Sequence, residues 1–212
     1  MKITVFGATG RIGGEVVRQA LAADHKVSAV VRESSRFDLE HPSLEVLRVS
    51  GLTDAEVLRP ALDGSSAVIS GVGARGRKDG PVATDSTRSI LAAMSAAGVR
   101  RIVAVSAAPL GPVPEGDSFL NRRIILPFFS AFVADVYADL RVMESDIMAS
   151  GLEWTIIRPP KLNDKPETGE YRIAIGGNVA RGYSISRADA AHLMLAALDT
   201  PAMLNQPVGV AY

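Results

Sequence analysis

Residues 1–14 read MKITVFGATGRIGG. An apolar run from Ile3 to Phe6 leads straight into three glycines at three-residue spacing, Gly7, Gly10 and Gly13, and a helix-period pattern follows. A strand that turns into a helix through such a loop leaves backbone N–H groups bare at the helix N-terminus, where partial positive charge suits a phosphate. A Walker loop needs Gly-Lys-Ser/Thr; Gly10-Arg11-Ile12 stands in its place, which speaks against nucleotide triphosphate chemistry.

The rest of the chain repeats the strand-then-helix alternation. Short apolar runs fall at Ile3–Phe6, Val27–Val31, Leu44–Val49, Ala67–Ser70, Arg101–Val105 and Trp154–Arg158, with helix-period segments near 12–23, 54–62, 82–97 and 137–150. Continuous rather than alternating apolar strands are what burial on both faces demands, so the expected fold is α/β, a doubly wound parallel sheet. Asp54 and Ser186 are placed to cap helices, and Gly98 and Gly151 to end them. No linker or repeat divides residues 1–212, and one domain is expected. After Arg158, "PPKLNDKPETGEYRIAIGG" (159–177) and the helix pattern "SRADAAHLMLAAL" (186–198) predict a small C-terminal lobe over the sheet edge.

The bulk numbers narrow the partners. Of 212 residues, 47% are hydrophobic and 22% charged, enough for a real core. Lys and Arg total 23 and so do Asp and Glu, so no net field draws the chain to nucleic acid or an anionic membrane, and neither partner is expected. The absence of cysteine excludes disulfides and thiolate chemistry. A strand beginning at residue 2 leaves no room for a leader, and no apolar run reaches membrane-spanning length, so a cytoplasmic monomer or homodimer is expected. His25, His41 and His192 stand apart with no partner at metal spacing, and no metal site is expected.

Glycine spacing, strand and helix together make a dinucleotide loop. The end of the second strand then decides which dinucleotide, because an acid there would hold a ribose 2′-hydroxyl and basic residues a 2′-phosphate. The strand ends "VVRESSR": Arg32 at the tip, Arg36 one turn on, and Ser34 and Ser35 as hydroxyl donors between them. That set suits a phosphate dianion and predicts NADP(H).

At this point the chain resembles the atypical short-chain dehydrogenase/reductases, in particular the branch of biliverdin reductase B, or NADPH-dependent flavin reductase, and more broadly NmrA-like Rossmann proteins. The resemblance runs through "FGATGRIGG", "VVRESSR", "AVISGVG", "ILAAMSAAGVRRIVAVSA", "SGLEWTIIRPP" and "ISRADAAHLML". It implies that Gly7, Thr9, Gly10 and Ile12, with Arg11 in the same loop, hold a pyrophosphate, and that Arg32 and Arg36 hold the 2′-phosphate. It also implies a nicotinamide ribose at Gly71, Val72, Gly73 and Arg75, and a nicotinamide near Ser106, Pro159, Pro160 and Lys161. Two departures stand out. Many relatives read Gly-Asp after the third strand, the acid near the adenine, whereas Ser50-Gly51-Leu52 leaves only backbone groups at Gly51 and Leu52. The residue after Pro-Pro is histidine in the biliverdin reductase B pattern and Lys161 here.

For catalysis, Ser106 occupies the serine position of the superfamily's Ser, Tyr and Lys set, and Tyr137 has Arg141 at i, i+4 where lysine is usual. Proximity to arginine should lower the tyrosine pKa. Ser106, Tyr137 and Lys161 are therefore the catalytic candidates. The stretch 119–136 holds four of the six phenylalanines with Arg122 and Arg123, as a wall over the nicotinamide, a lid, a dimer face or plain helix core. The expected activity is hydride transfer from NADPH to a planar conjugated small-molecule acceptor, a flavin, bilin or quinone, whose proton can come from solvent. The alternatives are a non-catalytic NmrA-like NADP(H) sensor working through a protein partner, and an epimerase-like relative for which the small lobe leaves little room.

Overall fold

The computed structural model describes residues 1–73, 80–114 and 134–212. Within them an eight-stranded sheet forms from β1 (Lys2–Phe6), β2 (Lys26–Arg32), β3 (Leu44–Val49), β4 (Ala67–Ser70), β5 (Arg101–Val105), β6 (Glu153–Arg158), β8 (Arg172–Ile175) and β10 (Gln206–Ala211). The spatial order is β3-β2-β1-β4-β5-β6-β10-β8. Every neighbouring pair is parallel except β10 with β8. The chain winds outward from β1 in one direction, then restarts at β4 on its other side. The crevice between the C-terminal ends of β1 and β4 is thus the topological switch point, where an open α/β sheet binds its ligand.

Helices cover both faces. On one, α1 (Arg11–Ala22) and α5 (Arg187–Ala196) bury Val16, Val17, Ala20, Leu193 and Met194 against Ile3, Val5, Ala29 and Val208. On the other, α2 (Ala55–Leu58), α3 (Val82–Ala97) and α4 (Ala134–Ala149) bury Leu58, Ile90, Met94, Met143 and Ile147 against Phe6, Val68, Ile102 and Ile156. Val5 and Phe6 enter opposite cores because successive strand residues face opposite ways. The caps are where the sequence puts them: Asp54 accepts from Glu56 N–H at 3.0 Å, Ser186 from Asp189 N–H at 2.9 Å, and Gly98 ends α3 at φ +72°. The helix expected over 54–62 is split, because Pro60 has no N–H for an α-type bond; after Leu58 the chain tightens into a 3-10 turn, Arg59–Leu62.

The C-terminal region is a lobe only in part. β7 (Lys161–Asn163) and β9 (Ser184–Ser186) pair as a separate two-stranded parallel sheet, while β10 returns into the main sheet between β6 and β8. The sequence "QPVGVA" hides that strand behind Pro207 and Gly209, both poor strand residues. Pro207 is tolerated because the β8 ladder starts one residue later, at Val208↔Ile175. Gly209 is required because a Cβ there would lie 2.5 Å from Gly177 O.

One carboxylate fastens this region. Buried Asp189 accepts hydrogen bonds from Thr168 N–H (2.8 Å) and Oγ1 (2.9 Å), Gly169 N–H (2.9 Å), Ser186 Oγ (3.0 Å) and the Tyr212 hydroxyl (2.6 Å). Burial alone would raise its pKa, but the bonds from Tyr212, Thr168 and Gly169 outweigh that and hold it down at about 2. A carboxylate depressed in the fold stabilises above its unfolded pKa of about 4 and loses that contribution as pH falls toward about 2, at most about 2 kcal/mol. The unfolding midpoint of the wild type should therefore fall more steeply between about pH 4 and pH 2 than that of Asp189→Asn, measured by thermal melts across that range.

Candidate dinucleotide site

The glycine loop works by backbone contact. Gly7 follows β1 at φ +75°, and a Cβ there would sit 2.7 Å from Gly71 C at the end of β4. A Cβ on Gly13 would lie 2.2 Å from Gly7 O, so α1 can dock on β1 only with glycine there. A Cβ on Gly10 would approach Gly7 O to 3.0 Å. α1 has no side-chain cap at Gly10 and no acid in its first turn, so its N-terminal N–H groups are left to solvent or a ligand. Above them opens a cleft of about 640 Å³, lined by Gly7, Thr9 and Gly10, by Val30 and Arg32 of β2, by Ser50–Thr53 after β3, by Gly71–Gly73 after β4 and by Val82, Asp85 and Ser86 of α3.

At the β2 tip the two arginines part. Arg32 lines the cleft, and its carbonyl accepts from Ser35 N–H at 2.8 Å to close the turn. Arg36 does not line it; its guanidinium pairs with Asp38, with 89% of the Arg36 side chain exposed. Arg48 of β3 donates to Ser35 O at 3.2 Å and pins the same turn from below. Asp38 is a local partner two residues from Arg36, whereas Arg48 meets the turn only because β2 and β3 pair.

A second, smaller cleft of about 250 Å³ meets the first at Thr9 and Gly10 and runs between α1 and the C-terminal region. Arg11 belongs to this cleft and not to the larger one; its Nη1 lies 3.6 Å from Asp164, which also pairs with Arg187 at 2.6 Å.

Ser106 leaves the β5 tip with its N–H bonded to Ile157 O at 2.8 Å, and Ala108 N–H to Pro159 O at 2.9 Å ties the β5 and β6 ends together. The Ser106 hydroxyl is buried and has no hydrogen-bond partner among the described residues. Behind it, α4 is held by two buried carboxylates. Asp139 caps α3, accepting from Ala83 N–H (2.9 Å) and Thr84 N–H (2.8 Å). Glu144 grips Arg158 in a two-bond pair, at 2.9 Å from Nε and 2.5 Å from Nη2, with Arg158 7% and Glu144 5% exposed. Nothing in the local sequence marks either acid, because their partners come from α3 and β6.

A family model described as NAD(P)H-binding matches residues 7–201. The chain belongs to the NAD(P)H-binding family. It is 32% identical over 205 residues to the uncharacterized sugar epimerase YhfK of Bacillus subtilis (strain 168), covering 94% of this chain and 88% of that protein. Among solved structures, a short-chain dehydrogenase/reductase from Veillonella parvula DSM 2008 in complex with NADP superposes with TM-score 0.80 at 20% identity, covering 100% of this chain and 94% of the other. The anaerobilin reductase ChuY of Escherichia coli O157:H7 superposes with TM-score 0.75 at 22% identity, covering 100% and 97%. These two likenesses show the NAD(P)-binding Rossmann fold, a doubly wound sheet.

The cleft suits the family's ligand. A cradle that any Cβ would fill, beside uncapped N–H groups, has the room and the charge to suit a pyrophosphate, and Arg32 lines the same cleft. The catalytic candidates are less closely gathered than the spacing suggested. Lys161 is exposed at the start of β7 and lines neither cleft. Tyr137 is half-buried, and burial pushes its pKa up, the reverse of the lowering expected from Arg141, which sits exposed on α4. Desolvation of the phenolate dominates there. Arg75, with the aromatic stretch around Phe128, Phe129 and Phe132, lies outside the described residues.

No helix among the described residues is long and apolar enough to cross a membrane.

Proposed function

We propose that this NAD(P)H-binding chain is an NADPH-dependent reductase that passes hydride to a planar conjugated acceptor of the flavin, bilin or quinone type. The observation that carries this reading is Ser106: a buried hydroxyl without a partner among the described residues, at the C-terminal edge of the sheet beside Pro159. A buried hydroxyl left without a partner costs on the order of 1–3 kcal/mol, a cost removed when a bound carboxamide or acceptor meets it. When bound, the cofactor supplies a hydride from its nicotinamide. Gly7, Thr9, Gly10 and Ile12 hold the pyrophosphate, Arg32 the 2′-phosphate, and Gly73, Ser106, Pro159 and Lys161 frame the nicotinamide end.

The acceptor class follows from proton supply. A carbonyl or sugar substrate needs a positioned acid, and Tyr137, pushed up in pKa and lacking the usual lysine, is a poor one. A flavin or bilin takes its proton from solvent, so orientation alone suffices. The name ChuY carries as an anaerobilin reductase agrees with this reading, whereas the epimerase name of YhfK would ask more of Tyr137.

The test is NADPH oxidation followed at 340 nm with FMN, FAD, biliverdin and quinones as acceptors. Turnover on at least one, reduced more than tenfold by Ser106→Ala, is expected. Tight NADPH binding without turnover on any acceptor would replace the reductase by a redox sensor. Arg32→Ala should weaken NADPH by about tenfold or more and leave NADH nearly unchanged, because a charge-assisted bond contributes about 1.5–3 kcal/mol. Arg36→Ala should cost NADPH less, since that guanidinium is engaged by Asp38. Equal losses for both dinucleotides would refute the 2′-phosphate assignment.

A further inference from the structure

The two walls of the large cleft differ in charge. On the α1 side, uncapped N–H groups and Arg32 make it electropositive. On the α3 side the N–H groups of Ala83 and Thr84 are already taken by Asp139, which leaves the Ser86 hydroxyl as a donor on this wall. The wall also presents Asp85, an exposed acid in the first turn of α3, whose carboxylate has no hydrogen bond or ion pair among the described residues. Besides Arg32 and Asp85 the lining includes Val30, Leu52, Val72 and Val82, an apolar share of the same cleft.

A carboxylate is an acceptor only, and beside phosphate oxygens it would repel them. The ligand group that suits a place beside it is therefore a donor. NAD(P)H offers ribose hydroxyls, the nicotinamide carboxamide and the exocyclic amine of adenine. The carboxamide belongs with the β5 and β6 tips, since neither Ser106 nor Pro159 lines this cleft. The apolar lining takes a flat base better than a polyhydroxylated sugar, and the donor at the edge of that base is its amine. We propose that Asp85 is a specificity-determining residue for the base, accepting a hydrogen bond from the adenine amine in the cleft that it lines with Leu52, Val72 and Val82. The proposal rests on the dinucleotide reading above. It gives the site an acid at the base from α3, where the loop after β3 lines the cleft with Ser50, Gly51, Leu52 and Thr53 and no acid.

The experiment compares NADPH with its hypoxanthine analogue, which carries a carbonyl oxygen in place of the amine. Each is titrated by calorimetry into the wild type and Asp85→Ala. Asp85 has no described protein partner, so the variant should melt with the wild type. The wild type should bind NADPH about tenfold tighter than the analogue, the low end for a hydrogen bond to a charged group. Asp85→Ala should bind both within about twofold of each other, near the wild-type affinity for the analogue. NADH and its hypoxanthine counterpart should repeat the pattern, independently of the 2′-phosphate corner. A wild type that does not discriminate overturns the proposal and leaves the dinucleotide reading intact. Equal weakening of NADPH and its analogue by Asp85→Ala also overturns it, placing the acid on a ribose hydroxyl. If the wild type binds none of the four, the dinucleotide reading falls and the role of Asp85 with it.

Discussion

Gly13→Ala should destabilise the protein and abolish measurable dinucleotide binding, although alanine is the better helix former by about 1 kcal/mol. The sign is decided by one contact. A Cβ at Gly13 would stand 2.2 Å from Gly7 O, 2.7 Å from Gly7 C and 3.1 Å from Ala8 N. All three are backbone atoms of the loop itself, and none can yield like the end of a flexible side chain. Relief requires α1 to withdraw from β1, and overpacking of this kind costs about 1–3 kcal/mol or more. The withdrawal also moves the α1 N-terminus relative to Gly7 and Gly71, so binding suffers beyond the stability loss. Gly14→Ala is the control. There a Cβ meets Ala8 O at 3.5 Å and Arg18 Nη1 at 3.7 Å, ordinary contact distances, and the helix propensity gain should survive. Thermal melts with NADPH titrations of the two variants check the contrast; a Gly13→Ala protein that melts and binds like the wild type would remove the structural reason for the third glycine.

Glu144→Ala should be the more damaging change to stability, by about 3–5 kcal/mol, because it leaves the Arg158 guanidinium buried without its partner. With Arg158 only 7% exposed, water cannot take over the role of the carboxylate. For a chain of this size the loss amounts to a fall in melting temperature on the order of 10 °C. The double replacement Glu144→Leu with Arg158→Met removes both charges, and it should recover most of that loss, since apolar substitutes for a buried pair are often neutral or better. Arg158 also precedes Pro159, whose carbonyl holds Ala108, so Glu144→Ala should disturb the Ser106 corner as well. If the double variant melts as low as the single one, the pair matters through its shape and hydrogen bonds and not through an orphaned charge.

The same comparison of local pattern with spatial neighbour runs through the whole molecule. β1, β2, β4, β5 and β6 were readable because β-branched runs buried on both faces have no other stable arrangement. β10 was not, because Pro207 and Gly209 lower its local preference, and only burial of Val208 and Val210 against strands far away in the chain restores it. Within the site, Gly7, Gly10 and Gly13 announce themselves by spacing alone. Arg32 and Arg36 looked equivalent as two cations four residues apart; the pairing of Arg36 with Asp38 and the place of Arg32 in the cleft lining distinguish them. Tyr137 looked like an activated phenol beside Arg141, but its titration is governed by burial against neighbours from other elements.

By itself, then, the sequence determined the doubly wound sheet, the glycine loop at its first turn and the basic tip of the second strand, because periodicity, glycine and local charge act within a few residues of one another. Only the tertiary structure decided that Arg32 rather than Arg36 lines the cleft, that Ser106 stands buried without a described partner, that Glu144 and Arg158 form one buried unit, and that Asp85 lines the same cleft as Leu52. Each of these depends on the desolvation and distance of groups brought together from separate strands and helices, which residue order alone does not specify.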